Sequence, residues 1–238
     1  MAVMIIKAKD ALEAALQETA RNIFAVSATK TPTGPIVIGL CGGRSVVGLL
    51  GALLKESQNQ PKDILGRLHF FMVDERLVPL TDEQSNYGGL KKLLFDSLLS
   101  EGVISPAQLH PFDPNSSLPD YGSAQYLEEL EKLGGTFTVA VVGVGEDGHI
   151  AGLFPGHQTL QHQGCQFLTF HDSPKPPPQR MTASPGLITG ADLSIVLLLG
   201  EGKRDAWNAF NSPASTVEKC PALIAKSAAQ CVVVTDLA

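Results

Sequence analysis

Val139-Ala140-Val141-Val142-Gly143-Val144-Gly145-Glu146-Asp147-Gly148-His149 is the stretch whose reading decides the fold. Its β-branched, apolar first half reads as a strand buried on both faces. Three glycines then follow within six residues (Gly143, Gly145, Gly148) and turn the chain sharply. Asp147 and His149 stand inside that turn, and Pro155 stops any helical turn beyond it. A histidine beside a carboxylate at the end of a buried strand is placed for acid–base work in an α/β protein. Gly143 to Gly148 also matches the dinucleotide fingerprint G-x-G-x-x-G, but that pattern needs a long helix directly afterwards. Gly152, Pro155 and Gly156 interrupt within eight residues of Gly148, against such a helix. An ordinary turn with an exposed histidine is the plainer alternative, and the rest of the chain weighs against it.

Working outward, the same order of strand, glycine loop and helix recurs upstream. Ile36–Leu40 reads as a buried strand, Cys41-Gly42-Gly43-Arg44-Ser45 as its loop. Val46, Leu49, Leu50, Leu53 and Leu54 then fall on one helical face, with Gly48 and Gly51 allowing close packing. Such a loop presents free backbone N–H groups and a helix N-terminus to an anion, with donors added by Arg44 and Ser45; a plain turn with Ser45 as N-cap is the alternative. Leu68–Val73 is a third strand that runs into Asp74-Glu75-Arg76, three charges poorly placed for packing and well placed for a site. Ser85-Asn86 starts a helix whose inner face is Leu90, Leu93, Leu94 and Leu98. Leu193–Leu199 and Cys231–Thr235 are further strands. Lys203 and Arg204 at the head of the next helix oppose its dipole and so point to an anion nearby.

Helices are expected at about 10–28, with Asp10 as cap of a capping box, and at about 121–133. Ser173-Pro174-Lys175-Pro176-Pro177-Pro178-Gln179 is extended and stiff, delivering Arg180-Met181-Thr182. The alternation predicts an α/β fold: a mostly parallel, Rossmann-like sheet with helices on both faces, in a single domain over residues 1–238.

Composition narrows the function. A net charge of −6 argues against nucleic-acid binding, and an anionic substrate would need a local nest of positive groups. No apolar run is long enough to cross a membrane, and Met1–Ile6 is too short for a secretory signal, so a cytoplasmic location is expected, with an organelle left open. The four cysteines have neither metal-ligand nor disulfide spacing.

In this order and spacing, the motifs resemble those of the 6-phosphogluconolactonases, in the superfamily that also holds glucosamine-6-phosphate isomerase/deaminase. The resemblance runs nearly end to end and rests on Gly42-Gly43-Arg44-Ser45, Asp74-Glu75-Arg76 with Ser85-Asn86, Gly143-x-Gly145-x-Asp147-Gly148-His149-x-Ala151, Arg180-x-Thr182 and Gly202-Lys203. It implies hydrolysis of a phosphorylated sugar lactone, with no metal, no organic cofactor and no obligatory protein partner. His149 is implied as the catalytic group. Gly42, Gly43, Arg44, Ser45, Asn86, Arg180 and Lys203 are implied around the substrate and its phosphate. Asp147 or Asp74 would orient the imidazole, and Arg76 would meet the oxyanion or the lactone hydroxyls. The chain departs from the commoner Ser-Gly-Gly-x-Thr-Pro loop at Cys41, Ser45 and Val46, and Cys41 is the poorer donor. The amino-sugar deaminases carry Asp-Glu-Tyr in place of Asp74-Glu75-Arg76, and a carboxylate where this chain has Phe154. An inactive sugar-phosphate-binding relative and a dinucleotide-dependent oxidoreductase are the other readings.

Overall fold

The computed structural model describes residues 3–238. Its strands are β1 (Val3–Lys7), β2 (Ile36–Leu40), β3 (Leu68–Met72), β4 (Asp74–Arg76), β5 (Leu109–His110), β6 (Val139–Gly143), β7 (Phe167–Phe170), β8 (Arg180–Ala183), β9 (Leu193–Leu198) and β10 (Gln230–Thr235). Seven of them form one parallel sheet in the order β1-β10-β9-β6-β2-β3-β5. Strands β2 and β9 are buried at every residue, as apolar runs covered on both faces must be. From β2 the chain proceeds through β3 to β5 on one side, then returns to lay β6, β9 and β10 on the other. The order therefore reverses between β2 and β6, and in sheets of this kind the functional loops leave from the carboxyl ends at that point. Both glycine loops, 41–45 and 143–149, leave from that point.

A second, antiparallel sheet β4-β8-β7 stands beside it. Asp74-Glu75-Arg76, expected at the carboxyl end of the third strand, forms a strand of its own, β4. It pairs with β8 so that Arg76 lies opposite Arg180 and Asp74 opposite Thr182. Two motifs far apart in the chain are thus held in one register.

Several local expectations are corrected. The first helix runs Leu12–Lys30 with Ala11 at its N-cap position and no side-chain cap, because a turn at Ala8–Ala11 leaves Asp10 outside it. Ser45 lies within a short 3-10 turn, Arg44–Val46, before helix Val47–Ser57, and caps neither. Gly48 does allow close packing, since a Cβ there would come within 2.7 Å of Leu16, whereas Gly51 faces open space. Ser85 caps its helix as expected, its hydroxyl accepting from Gly88 N at 3.0 Å. Leu93 is 47% exposed rather than inward, because residues Lys91–Phe95 form a π turn that shifts the helical phase and brings Phe95 inward instead. The helix at 121–133 is shorter, Ser123–Glu131. Arg204 pairs with Glu201 and the Leu237 carbonyl, so its charge needs no outside anion.

Among the described residues no helix is long and apolar enough to cross a membrane. The reading of Met1–Ile6 includes Met1 and Ala2, which lie outside the described residues.

Candidate active site

The 143–149 loop is closed by its own backbone. Gly145 N donates to His149 O at 2.8 Å, and Gly148 N donates to Gly145 O at 3.1 Å. Gly148 sits at φ 83°, a conformation that favours glycine. No helix follows. Residues 144, 150 and 153 make isolated bridges, so the long helix of a dinucleotide site is missing here. The loop sets His149 Nδ1 2.5 Å from Asp147 Oδ1, which leaves Nε2 for other work. Beneath the imidazole lies Phe154, fully buried, with ring centroids 4.6 Å apart. Burial pushes the Asp147 carboxyl up, but the hydrogen bond and charge of His149, with Lys175 behind them, outweigh it and hold the group well below the usual carboxylate range. Lys175 Nζ is 3.4 Å from Asp147 Oδ2.

Strand β4 supplies the crevice's next wall. Asp74 is buried, and burial raises its carboxyl while Arg76, Arg180 and His149 pull it back. Asn86 Nδ2 donates to Asp74 O at 2.9 Å and to Asp74 Oδ2 at 3.2 Å. Gly42 leaves room for that amide: a Cβ there would fall 2.0 Å from Asn86 Oδ1. Arg76 donates through Nη1 to Gln84 O, while its Nε is buried without a partner among the described residues. Of the two carboxylates that sequence left open, Asp147 touches the imidazole; Asp74 acts only through its field.

Positive groups gather at the mouth. Lys203 Nζ donates to Val144 O, on the histidine loop itself. Its ammonium is lowered first by burial, with Glu146 raising it and the like charges of Lys175 and Arg44 lowering it further. Arg44 is exposed beside Gly43, which needs its glycine at φ 94°. Cys41 is buried behind the loop, its thiol pushed up to about 12 by burial and Asp74, so it remains a neutral thiol.

Arg180 is placed differently from a free phosphate ligand. It is only 6% exposed, and its guanidinium lies 5.6 Å from the Phe154 ring centroid. Nε donates to Pro177 O at 3.1 Å; Nη2 donates to Pro176 O at 2.9 Å and Lys175 O at 3.2 Å. Only Nη1 has no protein acceptor among the described residues.

Two neighbours of these residues were given no role from the sequence, although one of them, Glu75, stood in the charged motif. Glu75 is fully buried and accepts from Arg76 N (2.7 Å), Asn86 N (2.7 Å), Tyr87 N (2.8 Å) and Ser85 Oγ (3.1 Å), tying β4 to the Asn86 helix. Lys175 is the other. The three charges closing an apolar strand included Glu75, whereas nothing local to the proline run marked Lys175.

Fold and loop geometry together define the class: a doubly wound α/β protein with a histidine–carboxylate pair, and cations near it, at its switch point. The chain belongs to the family described as glucosamine-6-phosphate isomerases/6-phosphogluconolactonase, whose sequence profile matches residues 7–234. It is similar to the 6-phosphogluconolactonase of Borreliella burgdorferi, 35% identical over 205 residues that cover 84% of this chain and 83% of that one. Its fold is that of the Thermotoga maritima 6-phosphogluconolactonase (TM-score 0.81, 23% identity, covering 98% of this chain and 99% of that one). A monomeric glucosamine-6-phosphate deaminase has the same fold (TM-score 0.76, 19% identity, 99% and 97% covered), so the fold alone does not separate the two chemistries.

Proposed function

We propose that the protein hydrolyses 6-phospho-D-glucono-1,5-lactone to 6-phospho-D-gluconate, the hydrolytic step of the oxidative pentose phosphate pathway, as a single domain over residues 1–238. The observation that carries this reading is the Asp147–His149 pair on the loop after β6, with Lys203 bonded to that same loop and Arg44 near enough to Lys203 to repel it. A lactone carbon is already activated, so the reaction needs a held water, a base and an oxyanion partner, and no electron or group carrier. His149 Nε2 takes a proton from water as its oxygen attacks C1. The tetrahedral alkoxide then collapses, the bond from C1 to the ring oxygen breaks, and the imidazolium returns a proton to that oxygen. Asp147 fixes Nδ1–H and balances the imidazolium. Arg76, with Nε unspent, meets the oxyanion. The sugar phosphate lies among Gly42, Gly43, Arg44 and Ser45, Lys203 and the free Nη1 of Arg180, with Asn86 shaping the floor. The substrate is phosphorylated and crosses membranes poorly, which fits a cytoplasmic enzyme.

A coupled assay with freshly generated lactone, corrected for spontaneous opening, tests the reading. The His149→Ala variant is expected to bind the product while losing hydrolysis; full activity in that variant would overturn the assignment. Glucosamine 6-phosphate is expected to remain unchanged, since Phe154 occupies the second carboxylate position and a phenyl ring moves no proton.

A further inference from the structure

Asp147 is held from two sides. One oxygen accepts from the catalytic imidazole at 2.5 Å; the other faces Lys175 Nζ at 3.4 Å, on a different segment of the chain. We propose that Lys175 is a positioning residue for the hydrolysis: it fixes the Asp147 carboxylate so that His149 presents Nε2 as the base, and Arg180 fixes Lys175 in turn. The inference rests on the lactonase reading.

The proline segment is built to hold one lysine still. Lys175 N donates to Ser173 Oγ (3.3 Å), Ser173 Oγ donates to Lys175 O (2.8 Å), and Ser173 N donates to Pro178 O (3.1 Å). Arg180 then clamps the carbonyls of three consecutive residues, Lys175, Pro176 and Pro177, from inside the protein. Proline residues supply no N–H of their own, so the segment has little other means of anchorage. A buried guanidinium bound to backbone carbonyls is a costly way to secure a mere connection. Here the clamp ends at the Asp147–His149 pair, which runs as Arg180, loop, Lys175, Asp147, His149.

The charges around the imidazole give the pair a readable signature. Asp147 lies on it, Asp74 acts from β4 with Arg76 and Arg180 beside it, and Lys175 stands behind Asp147. Lys203 and Glu146 lie at the mouth, and Cys220 behind Gly148 is a neutral thiol. Lys175 is the cation that neutralises Asp147 from outside. Without it, the charge of Asp147 bears unopposed on the imidazole and its outer oxygen is free to turn.

The experiment uses the full chain with Lys175→Met and Lys175→Arg, and reads kcat and KM from pH 5 to 7.5, where the lactone is most persistent. Lys175→Met is expected to move the acid limb of kcat/KM upward by about 0.5–1 pH unit, a three- to tenfold loss at the acid end, with KM within about twofold of wild type. Lys175→Arg is expected to restore the wild-type limb. Imidazole ¹⁵N shifts of the ligand-free proteins, read at the alkaline end where the ring is neutral, give a second reading, with the ring proton less strictly confined to Nδ1 in Lys175→Met because the carboxylate is no longer held against it. An unmoved limb with unchanged ¹⁵N shifts would overturn the inference. So would a large rise in KM with an unmoved limb, which would make Lys175 a substrate ligand. Failure of the wild-type protein to open the lactone would instead defeat the functional reading, and the ¹⁵N measurement would still judge the Asp147 contact.

Discussion

Gly145 and His149 face each other across the turn so closely that a Cβ on the glycine would fall 2.0 Å from Nδ1 of the imidazole. The glycine is therefore a steric condition for the pose of the ring. Its φ is not in the left-handed region, so alanine fits the backbone, and the half-buried imidazole can swing aside. Gly145→Ala is expected to leave the melting temperature almost unchanged while lowering kcat by about 10²-fold, the cost of displacing a reacting group by an ångström. Thermal melts and lactone kinetics on the same sample check the split. Equal losses of stability and activity would point to a collapse of the loop instead.

Asp147→Asn keeps the shape of the turn and removes the charge. Loss of about 10²–10⁴ in kcat is expected, because the amide can offer its N–H₂ to Nδ1 and select the wrong tautomer. Stability gives the sign of the contribution. The folded carboxyl lies below its unfolded value of about 3.9, so the ionised group stabilises the fold above that pH, and the benefit is lost as pH falls through the folded value. Melting temperatures of wild type and variant should accordingly differ most at pH 5 and above, and the difference should shrink progressively as pH falls below about 4 toward the folded value.

Lys203 sits between the histidine loop and the cationic mouth, so Lys203→Met separates recognition of phosphate from chemistry. The expected result is a rise in KM of at least about tenfold for the 6-phosphate, with unphosphorylated gluconolactone affected little. The ratio of kcat/KM for the two lactones is the measurement. An unchanged ratio would place the phosphate elsewhere.

Glu75 carries a structural prediction. Four donors converge on its two oxygens, so Glu75→Gln turns an N–H₂ toward other donors in a buried place. A loss of about 1–3 kcal/mol is expected in denaturant melts, together with loosening of the Asn86 helix in hydrogen exchange.

What the sequence made legible follows from where each signal is stored. Strands β2, β6 and β9 are buried on both faces, so continuous apolar runs announced them, and the glycines after β2 and β6 marked the switch point. Strand β1 is an edge strand with Met4 and Ile5 exposed, β5 has two residues, and β4 and β8 carry charges; none has the pattern of a buried strand. The candidate residues of the glycine and Asp-Gly-His loops could be named from sequence because the glycines that bend the backbone stand beside the polar groups there. Arg180 was expected at the phosphate and its bonds to three carbonyls were not foreseen, since a guanidinium spent on carbonyls looks the same in sequence as one kept for phosphate. Lys175 gains its meaning only from a fold that lays the proline run against Asp147.

The π turn at Lys91–Phe95 makes the last prediction. A regular 3.6-residue repeat puts Leu90, Leu93, Leu94 and Leu98 on one face, yet Leu93 is 47% exposed while Leu94 and Phe95 are 1% exposed. An i→i+5 turn accommodates one extra residue, and the residue rotated outward is Leu93. Leu93→Glu should therefore change stability by less than about 0.5 kcal/mol, as a surface substitution does. Leu94→Ala should cost about 2–5 kcal/mol through the cavity it leaves. If the helix were regular in solution, Leu93 would be buried and its glutamate variant would melt far below wild type, so the pair of urea midpoints decides between the two windings.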